Sequence, residues 1–414
     1  MTQHENYPHI FRPLKVGNVE VRNRIFVPAH TTNYGEDNLP SQRHLAYHRA
    51  RAAGGAGLII FEGIRVHKSS LGRQQGVNGY QPEAIPRFSD IAKAVQGEGG
   101  RLFGQILHLG RHIDGNFARM ASWSASSIPW TATAPAPHPM TTGEIRMVIN
   151  AHANVATNLL EAGLDGIELQ LAHGHLLQQF LSPAANKRED EYGGSFENRL
   201  RFALETAIAV RGVVGSDRTM GIRISADEFM QDGLVLADMC DVVVRLARAV
   251  QIDFVNITHS AYHGSYTVST QMADMAFQNE KFRYLTDAIS DALDNLPQKP
   301  VIMSVCRFNT VDLAEDMLSN GKADMIGMAR AHIADPALVN KARDNQAHET
   351  LPCIGCNQGC ADMLAQSLAI SCLVNPRAGK EEEWPTPAVA KVDSKRPVLV
   401  VGAGPAGMEA AGIA

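Results

Sequence analysis

The sequence of 414 residues has few aromatic residues, little net charge and no long apolar run. Aromatic residues make up 6% of the chain and the formal net charge is −5, so we expect no basic surface of the kind that binds nucleic acid. No apolar run approaches the roughly 20 residues that span a membrane, and residues 1–13 lack the features of a secretory signal. We therefore expect a cytoplasmic protein with a small-molecule substrate and no nucleic-acid or membrane partner. The sequence leaves a homo-oligomer open.

Cysteine is also scarce, and its distribution is uneven. Four of the six cysteines fall between Cys353 and Cys372, in the spacing C-x2-C-x3-C-x11-C, whereas Cys240 and Cys306 stand apart and are expected in the core. Cytoplasmic thiols are kept reduced, so a tight group is more typical of a metal site than of disulfides. Four thiolates bind zinc or an iron-sulfur cluster, and the spacing alone leaves both open.

Eight short apolar runs alternate with longer helical patterns between about residue 20 and residue 335. The expected strands are residues 24–28, 57–62, 101–108, 165–170, 220–225, 253–258, 300–305 and 323–328. Continuous apolar runs are typical of parallel strands that are buried on both faces. Eight such units predict a TIM barrel, with a doubly wound sheet as the alternative. Residues 120–142, rich in Pro, Ala and Ser, are expected to form a long loop between units three and four.

The chain is too long for one core, and we predict four consecutive parts. They are a barrel in residues 1–345, a cysteine segment in 346–380, a linker in 381–396 and the start of a Rossmann-like nucleotide-binding domain in 397–414. In the last part, VLVV precedes Gly402, Gly404 and Gly407 in a G-x-G-x-x-G turn. One strand and one helix cannot complete that fold, so we expect a fragment of a longer protein.

Catalytic groups of a TIM barrel lie at the carboxyl ends of its strands, and here those ends are rich in histidine and arginine. The polar residues expected there are His30, Glu62, Gln105, His108, Gln170, His173, His175, Arg223, His259, Tyr262, His263, Arg307 and Arg330. So many imidazoles and guanidinium groups at one mouth favour a functional site over core packing. The loops after strands seven and eight are the usual phosphate site, so Arg307 and Arg330 predict a phosphorylated cofactor.

Several long motifs resemble those of a known family. The run HGHLLQQFLSPAANKREDEYGGSFENRLRF (173–202), with VRNRIFVPAH before it and MIGMARAHIADP after it, resembles the old yellow enzyme superfamily. The run CIGCNQGC followed by SCLVNPRAG resembles its multidomain branch, which includes 2,4-dienoyl-CoA reductase and trimethylamine dehydrogenase. The resemblance implies FMN in the barrel, a 4Fe-4S cluster after it, and FAD or NAD(P)H in a nucleotide-binding region that this chain only begins.

The resemblance also implies roles for individual residues. The cluster ligands would be Cys353, Cys356, Cys360 and Cys372, and the cofactor contacts would be Pro28, Ala29, Gly63, Gln105, Arg223, Arg307, Ala329, Arg330, Gly402, Gly404 and Gly407. In this set Gln105 and Arg223 would bind the pyrimidine edge of the flavin, and Arg307 and Arg330 its phosphate. Cys306 stands where relatives often have glycine, so the phosphate loop is expected to be slightly altered.

At the substrate, Gln170 and His173 match the pair that binds the electron-withdrawing group. His175 occupies the place of the proton-donating tyrosine of many ene reductases, and Tyr262 and His263 are further donor candidates. His30, also expected beside the substrate, matches the cysteine that holds FMN covalently in trimethylamine dehydrogenase, so no such bond is expected here.

Three functions follow from these residues. The first is reduction of activated C=C bonds, with electrons relayed from NAD(P)H through the cluster to FMN. The second is the reverse electron flow, in which an N-methylated amine is oxidised and an acceptor protein takes the electrons. The third is a catalytically silent electron-transfer subunit. Three features favour the first function. His263 matches the active-site histidine of 2,4-dienoyl-CoA reductase, the cysteine spacing is that of the same enzyme type, and the cysteine that links the flavin in trimethylamine dehydrogenase is absent.

Overall fold

The computed structural model describes residues 4–70, 72–73, 75–112, 119–261, 264–305, 307–384 and 397–413. Its strands are β1 (Leu14–Val16), β2 (Val19–Val21), β3 (Ile25–Val27), β4 (Leu58–Arg65), β5 (Val77–Asn78), β6 (Arg101–Leu107), β7 (Trp123–Ser124), β8 (His138–Pro139), β9 (Gly166–Leu171), β10 (Thr219–Ser225), β11 (Phe254–Thr258), β12 (Val301–Ser304) and β13 (Met325–Gly327). All eight predicted strands form, as β3, β4, β6, β9, β10, β11, β12 and β13.

These eight strands are parallel and form a closed barrel. Their order around the barrel is that of the sequence, and β13 and β4 both pair with β3, through Ile326 opposite Ile25 and Leu58 opposite Phe26. Strand β4 contains an irregularity between Phe61 and Ile64 where it pairs with β6. The closure confirms the predicted TIM barrel and excludes the doubly wound sheet.

Helices surround the barrel or follow it in the chain. They are α1 (Gln42–Ala53), α2 (Ala84–Gly97), α3 (Thr142–Glu161), α4 (Leu176–Leu181), α5 (Phe196–Val214), α6 (Leu236–Ala249), α7 (Gly264–Gln271), α8 (Arg283–Leu293), α9 (Val311–Ser319), α10 (Ala329–Ala334), α11 (Leu338–Arg343), α12 (Met363–Ala365) and α13 (Pro405–Ile413). The caps follow from the sequence: Thr141 and Glu144 form a reciprocal capping box at the start of α3, and α5 ends at Gly215 with φ 75°. Among the described helices, none combines the length and apolar character that crossing a membrane requires.

The amino end of the barrel is closed by the hairpin of β1 and β2. Val16 and Val21 of this hairpin are fully buried against Phe26, Phe103 and other side chains of the barrel interior. The hydroxyl of Thr219, the first residue of β10, donates to the Val16 carbonyl at 3.0 Å. Because this end is filled, a ligand can enter only at the carboxyl ends of the strands.

The cysteine segment packs on the barrel near α1 and α10. Tyr34, Tyr47, Ile333 and Ile370 form a buried cluster, and Cys360 is partly buried against it. The predicted loop at 120–142 lies between β6 and α3 and holds the short pair β7 and β8.

The predicted strand of the nucleotide-binding domain does not form. Within the described residues 397–413, helix α13 is present, but Val398, Leu399 and Val401 are exposed, at 64%, 88% and 90%, and lie in no strand. A strand needs a neighbour for its backbone hydrogen bonds, and no other described strand pairs with this segment. The glycine turn does form: Gly402 has φ 116°, and a Cβ on Gly407 would lie 1.9 Å from the Gly402 carbonyl oxygen. Residues 385–396, most of the predicted linker, lie outside the described residues.

Candidate active site

The carboxyl end of β10 places Arg223 in the barrel mouth. Its Nη1 donates to the carbonyl of Ala29, two residues after β3, at 2.9 Å, and the side chain is buried. Arg223 and Ala29 are both expected at the flavin and are far apart in the sequence. The structure brings them into direct contact. The Pro28 carbonyl, one residue earlier, accepts from His30 Nδ1 at 2.8 Å.

A buried carboxyl group, which the sequence analysis missed, lies beside Arg223. Glu168 accepts from Gln105 Nε2 at 2.6 Å and from Asn256 Nδ2 at 2.7 Å, and its side chain is fully buried. Burial raises the pKa of Glu168, opposed by the charge of Arg223 and by the two amide donors. The sequence does contain a signal for this residue. Glu168 is an acidic residue inside the apolar strand β9, and it precedes Gln170 by two positions, so both side chains lie on the same face of the strand.

Gln170 and His173 are brought together at the end of β9. Gln170 Nε2 lies 3.4 Å from His173 Nδ1, and His173 Nε2 lies 3.0 Å from the hydroxyl of Thr258 on β11. The His173 backbone, with φ 59°, donates to Ser225 on β10 at 2.9 Å. Gln170 Oε1 is buried and has no hydrogen-bond partner among the described residues, so it is available to a ligand.

His175 lies next to this pair, at the amino end of α4. Its ring centre is 6.4 Å from that of His173 and 5.5 Å from that of His112. Burial, with the charge of Arg223, lowers the pKa of His175 to about 4, and the same two causes hold the pKa of His173 well below its usual range. Both imidazoles are therefore neutral at pH 7.

His30 has protein partners at both ring nitrogens. Because a carbonyl only accepts, Nδ1 carries the proton toward Pro28, and the Tyr47 hydroxyl donates to Nε2 at 2.8 Å. Burial lowers the pKa of His30 to about 4. The ring is thus fixed between the barrel mouth and α1, and its expected role at the substrate remains a prediction.

Gly63 lies within the irregular part of β4. A Cβ there would lie 2.1 Å from Leu107 Cδ2, so a larger residue at this position would have to displace the end of the Leu107 side chain. The preceding residue, Glu62, is buried and accepts from the Thr32 backbone at 2.5 Å. Burial alone would raise the pKa of Glu62, but His44 and Thr32 more than offset this and lower it.

Arg307 and Arg330 lie together after β12 and at the start of α10. Burial and the charge of Arg330 lower the pKa of Arg307. Arg307 Nη1 is buried without an acceptor among the described residues, whereas Arg330 Nη1 donates to Asn357 Oδ1 at 2.7 Å. Neither forms a salt bridge with a carboxylate in the described part of the chain. Two adjacent guanidinium groups with unused donors fit a bound phosphate.

All four clustered cysteines line one pocket, together with Arg330 and Asn357. No three His, Cys, Asp or Glu side chains among the described residues are placed to hold a single metal ion. Four thiols around a pocket are nevertheless the donor set of an iron-sulfur cluster, so the residues fit that group. The contact between the cysteine loop and a phosphate arginine was not predicted, because it joins side chains that are distant in sequence.

Three residues named in the sequence analysis lie outside the described residues. They are Tyr262, His263 and Cys306, so their roles remain predictions. The preceding His259 is described: its Nε2 lies 2.9 Å from the Thr270 carbonyl and its ring stacks on Phe282 at 4.0 Å.

A closed parallel barrel with a polar mouth and paired guanidinium groups after its last two strands defines a class, the TIM-barrel enzymes with a phosphate-binding site. Residues 9–349 match the model of the NADH:flavin oxidoreductase / NADH oxidase family. The chain belongs to this family, whose flavin is FMN and which includes enzymes of the old yellow enzyme type.

Three relatives show how far the similarity extends. The chain is 36% identical to N,N-dimethylglycine/sarcosine dehydrogenase of Chromohalobacter salexigens, over 98% of this chain and 58% of the relative. It is 34% identical to an NADH oxidase of Thermoanaerobacter brockii, over 98% of this chain and 61% of the relative. The solved structure of a 2-naphthoyl-CoA reductase superposes with TM-score 0.91 and 29% identity, over 98% of this chain and 63% of that one. The chain thus spans about three fifths of these relatives.

Proposed function

We propose that the chain is the FMN-binding part of an oxidoreductase that reduces activated C=C bonds, with electrons relayed through a 4Fe-4S cluster. The observation that carries the proposal is the convergence of Gln170, His173 and Arg223 in a buried mouth. Donor groups of Gln170 and His173 would stabilise the negative charge that develops on a substrate carbonyl when hydride adds to the conjugated double bond, and the charge of Arg223 would stabilise the reduced flavin beside it. The similarity to a protein named 2-naphthoyl-CoA reductase supports this substrate class.

The cofactors have defined candidate residues. Gln105 and Arg223 would bind the pyrimidine edge of FMN beside Pro28, Ala29 and Gly63. Its phosphate would lie on Arg307 and Arg330, next to Ala329. The cluster would be held by Cys353, Cys356, Cys360 and Cys372. When bound, FMN supplies hydride transfer and the cluster supplies single-electron transfer. In the whole protein, Gly402, Gly404 and Gly407 would open the site for FAD or NAD(P)H.

His175 lies beside His173 in the mouth, with a ring-centre distance of 6.4 Å. Burial lowers the pKa of His175 to about 4, which favours a neutral hydrogen-bonding group at the substrate over a proton donor. Tyr262 and His263 are then the stronger candidates for the proton donor.

A second candidate function is oxidation of N-methylated amines. The relative that is 36% identical is named N,N-dimethylglycine/sarcosine dehydrogenase. An alkylammonium substrate must lose a proton before it can lose hydride. The burial that lowers the pKa of His173 and His175 would likewise favour the neutral form of an amine bound in the mouth. In this case the electrons would leave through the cluster to an acceptor protein.

One anaerobic experiment separates the two. Protein reduced with dithionite and freed of excess reductant is mixed with cinnamate, cyclohexenone and an aromatic enoyl thioester, while oxidised protein is mixed with sarcosine and N,N-dimethylglycine. We expect the unsaturated compounds to reoxidise the flavin and the amines to leave its absorbance unchanged. Bleaching by an amine without reoxidation by any alkene would establish the second function instead. Gln170→Leu, which removes one donor from the mouth, is expected to slow reoxidation about 10-fold to 100-fold.

A further inference from the structure

We infer that Asn357 couples the cysteine loop to the two phosphate arginines, so that cluster binding and FMN binding strengthen each other. The inference rests on the proposed cofactors. It concerns the loop from Cys353 to Cys360, which lies between the two sites.

Asn357 is held at both ends of its carboxamide. Oδ1 accepts from Arg330 Nη1 at 2.7 Å, and Nδ2 donates to the Met272 carbonyl at 2.5 Å. These two contacts fix the orientation of the amide, because one partner can only donate and the other can only accept. The backbone of Asn357 has φ 59°, a conformation that asparagine tolerates better than most residues.

The same loop also reaches the second arginine. Gly355 has φ 69°, and a Cβ on it would lie 3.3 Å from Arg307 Nη2. Its carbonyl accepts from the Met275 backbone at 3.0 Å, so the loop is fastened to the chain that follows α7. Both guanidinium groups thus lie against residues placed between cluster ligands.

This arrangement makes the loop part of the phosphate site. With four thiolates bound to a cluster, the loop has one conformation, and Arg330 is held where Asn357 directs it. Without the cluster, the loop gains conformational freedom. FMN binding must then order Arg330 and Arg307, and this ordering lowers the affinity for FMN. Linkage requires the effect to be reciprocal, so bound FMN also strengthens retention of the cluster.

The test measures FMN affinity by quenching of its fluorescence. Deflavinated protein is titrated with FMN before and after removal of the cluster with a chelator, for the unchanged chain, Asn357→Gly and Asn357→Asp. Glycine keeps the left-handed backbone and removes the amide. Aspartate keeps an acceptor for Arg330, but it loses the donor to the Met272 carbonyl and adds a negative charge beside the proposed phosphate. We expect cluster removal to raise the Kd for FMN about tenfold in the unchanged chain. In Asn357→Asp the Kd is expected to be higher before cluster removal and to rise again on removal, because the loop still holds Arg330. In Asn357→Gly the Kd is expected to be raised already and to change less than threefold on cluster removal.

An unchanged Kd after cluster removal from the unchanged chain would overturn the inference, and so would full coupling in Asn357→Gly. If Asn357→Gly does not retain a cluster, the change in the Kd for FMN on cluster removal from the unchanged chain still tests the inference. Saturating FMN should also raise the chelator concentration that removes half of the iron, by less than tenfold because each cluster releases several iron ions. Iron, acid-labile sulfide and FMN contents are measured first. Absence of iron contradicts the proposed cofactors, whereas both cofactors bound without coupling contradicts this inference alone.

Discussion

At the scale of single residues, the barrel mouth depends on a carboxyl group that contributes no catalytic chemistry in the proposed reaction. Glu168 accepts from Gln105 on β6, the neighbour of β9, and from Asn256 on β11, which is separated from β9 by β10. Gln105 thereby keeps a fixed orientation before any ligand arrives. Such pre-organisation reduces the conformational entropy that a ligand must offset on binding.

Replacing Glu168 with leucine should destabilise the protein. Two buried amide groups would lose their acceptor, at about 1 to 3 kcal/mol each, so we expect a loss of about 2 to 6 kcal/mol in the free energy of unfolding by urea. Glu168→Gln is the matched control. Asn256 Oδ1 has no partner among the described residues, so the Asn256 carboxamide can turn over without losing a bond from that oxygen. The glutamine introduced at position 168 can then accept from Gln105 and donate to Asn256 Oδ1. Equal losses in the two variants would show that hydrogen bonding is not the cause.

At the scale of elements, two helices carry the same buried motif. His152 in α3 and His332 in α10 each donate from Nδ1 to the carbonyl four residues earlier, at 2.8 Å, and each Nε2 is buried without a partner among the described residues. Burial lowers the pKa of both to about 4. A lowered pKa in the folded state means that the unfolded chain binds the proton more tightly. Their contribution to stability is therefore full above about pH 6.5 and lost as the pH falls toward 4.

We predict that the free energy of unfolding falls steeply between pH 6.5 and pH 4, by up to roughly 3 kcal/mol for each of the two histidines. Chemical denaturation at several pH values measures this slope. His152→Leu should lower it by up to about 1.4 kcal/mol per pH unit, whereas His348→Leu, at an exposed position, should leave it unchanged. An unaltered slope in His152→Leu would show that His152 is not among the titrating groups.

The residue that follows the cysteine segment is attached to α1 by a buried charge. Arg51 is fully buried, lies 3.2 Å over the Tyr47 ring and donates to Glu381 at 2.9 Å. Its Nε and Nη2 have no acceptor among the described residues, so Glu381 is the carboxylate on which the guanidinium depends.

Glu381→Gln should weaken the attachment by about 3 to 5 kcal/mol, because it leaves a buried charge without its partner. Hydrogen exchange of residues 370–384 should become faster while exchange in the barrel strands stays the same. The neighbouring Glu382 is exposed, so Glu382→Gln is the control. Protection equal to that of the unchanged chain would mean that the Tyr34 hydroxyl bond to the Ile370 carbonyl, at 2.9 Å, is sufficient.

At the scale of the whole molecule, the barrel was predictable and the contacts that complete its mouth were not. Strands buried on both faces appear in the sequence as continuous apolar runs, so all eight could be located. The positions of Gln170, His173 and Arg223 at the carboxyl ends of these strands then predicted that they lie in the barrel mouth. The link between Asn357 and Arg330 depends on how the cysteine segment folds back, which no local pattern encodes. The stretch VLVV, residues 398–401, lies in no strand, because no described strand is placed beside it.

The filled amino end of the barrel has a consequence for turnover. Val16 and Val21 are buried there against Phe26 and Phe103, so a molecule bound in the mouth must leave by the route through which it entered. A second molecule can bind in the mouth only after the first has left, and ligands of the mouth should therefore compete with one another.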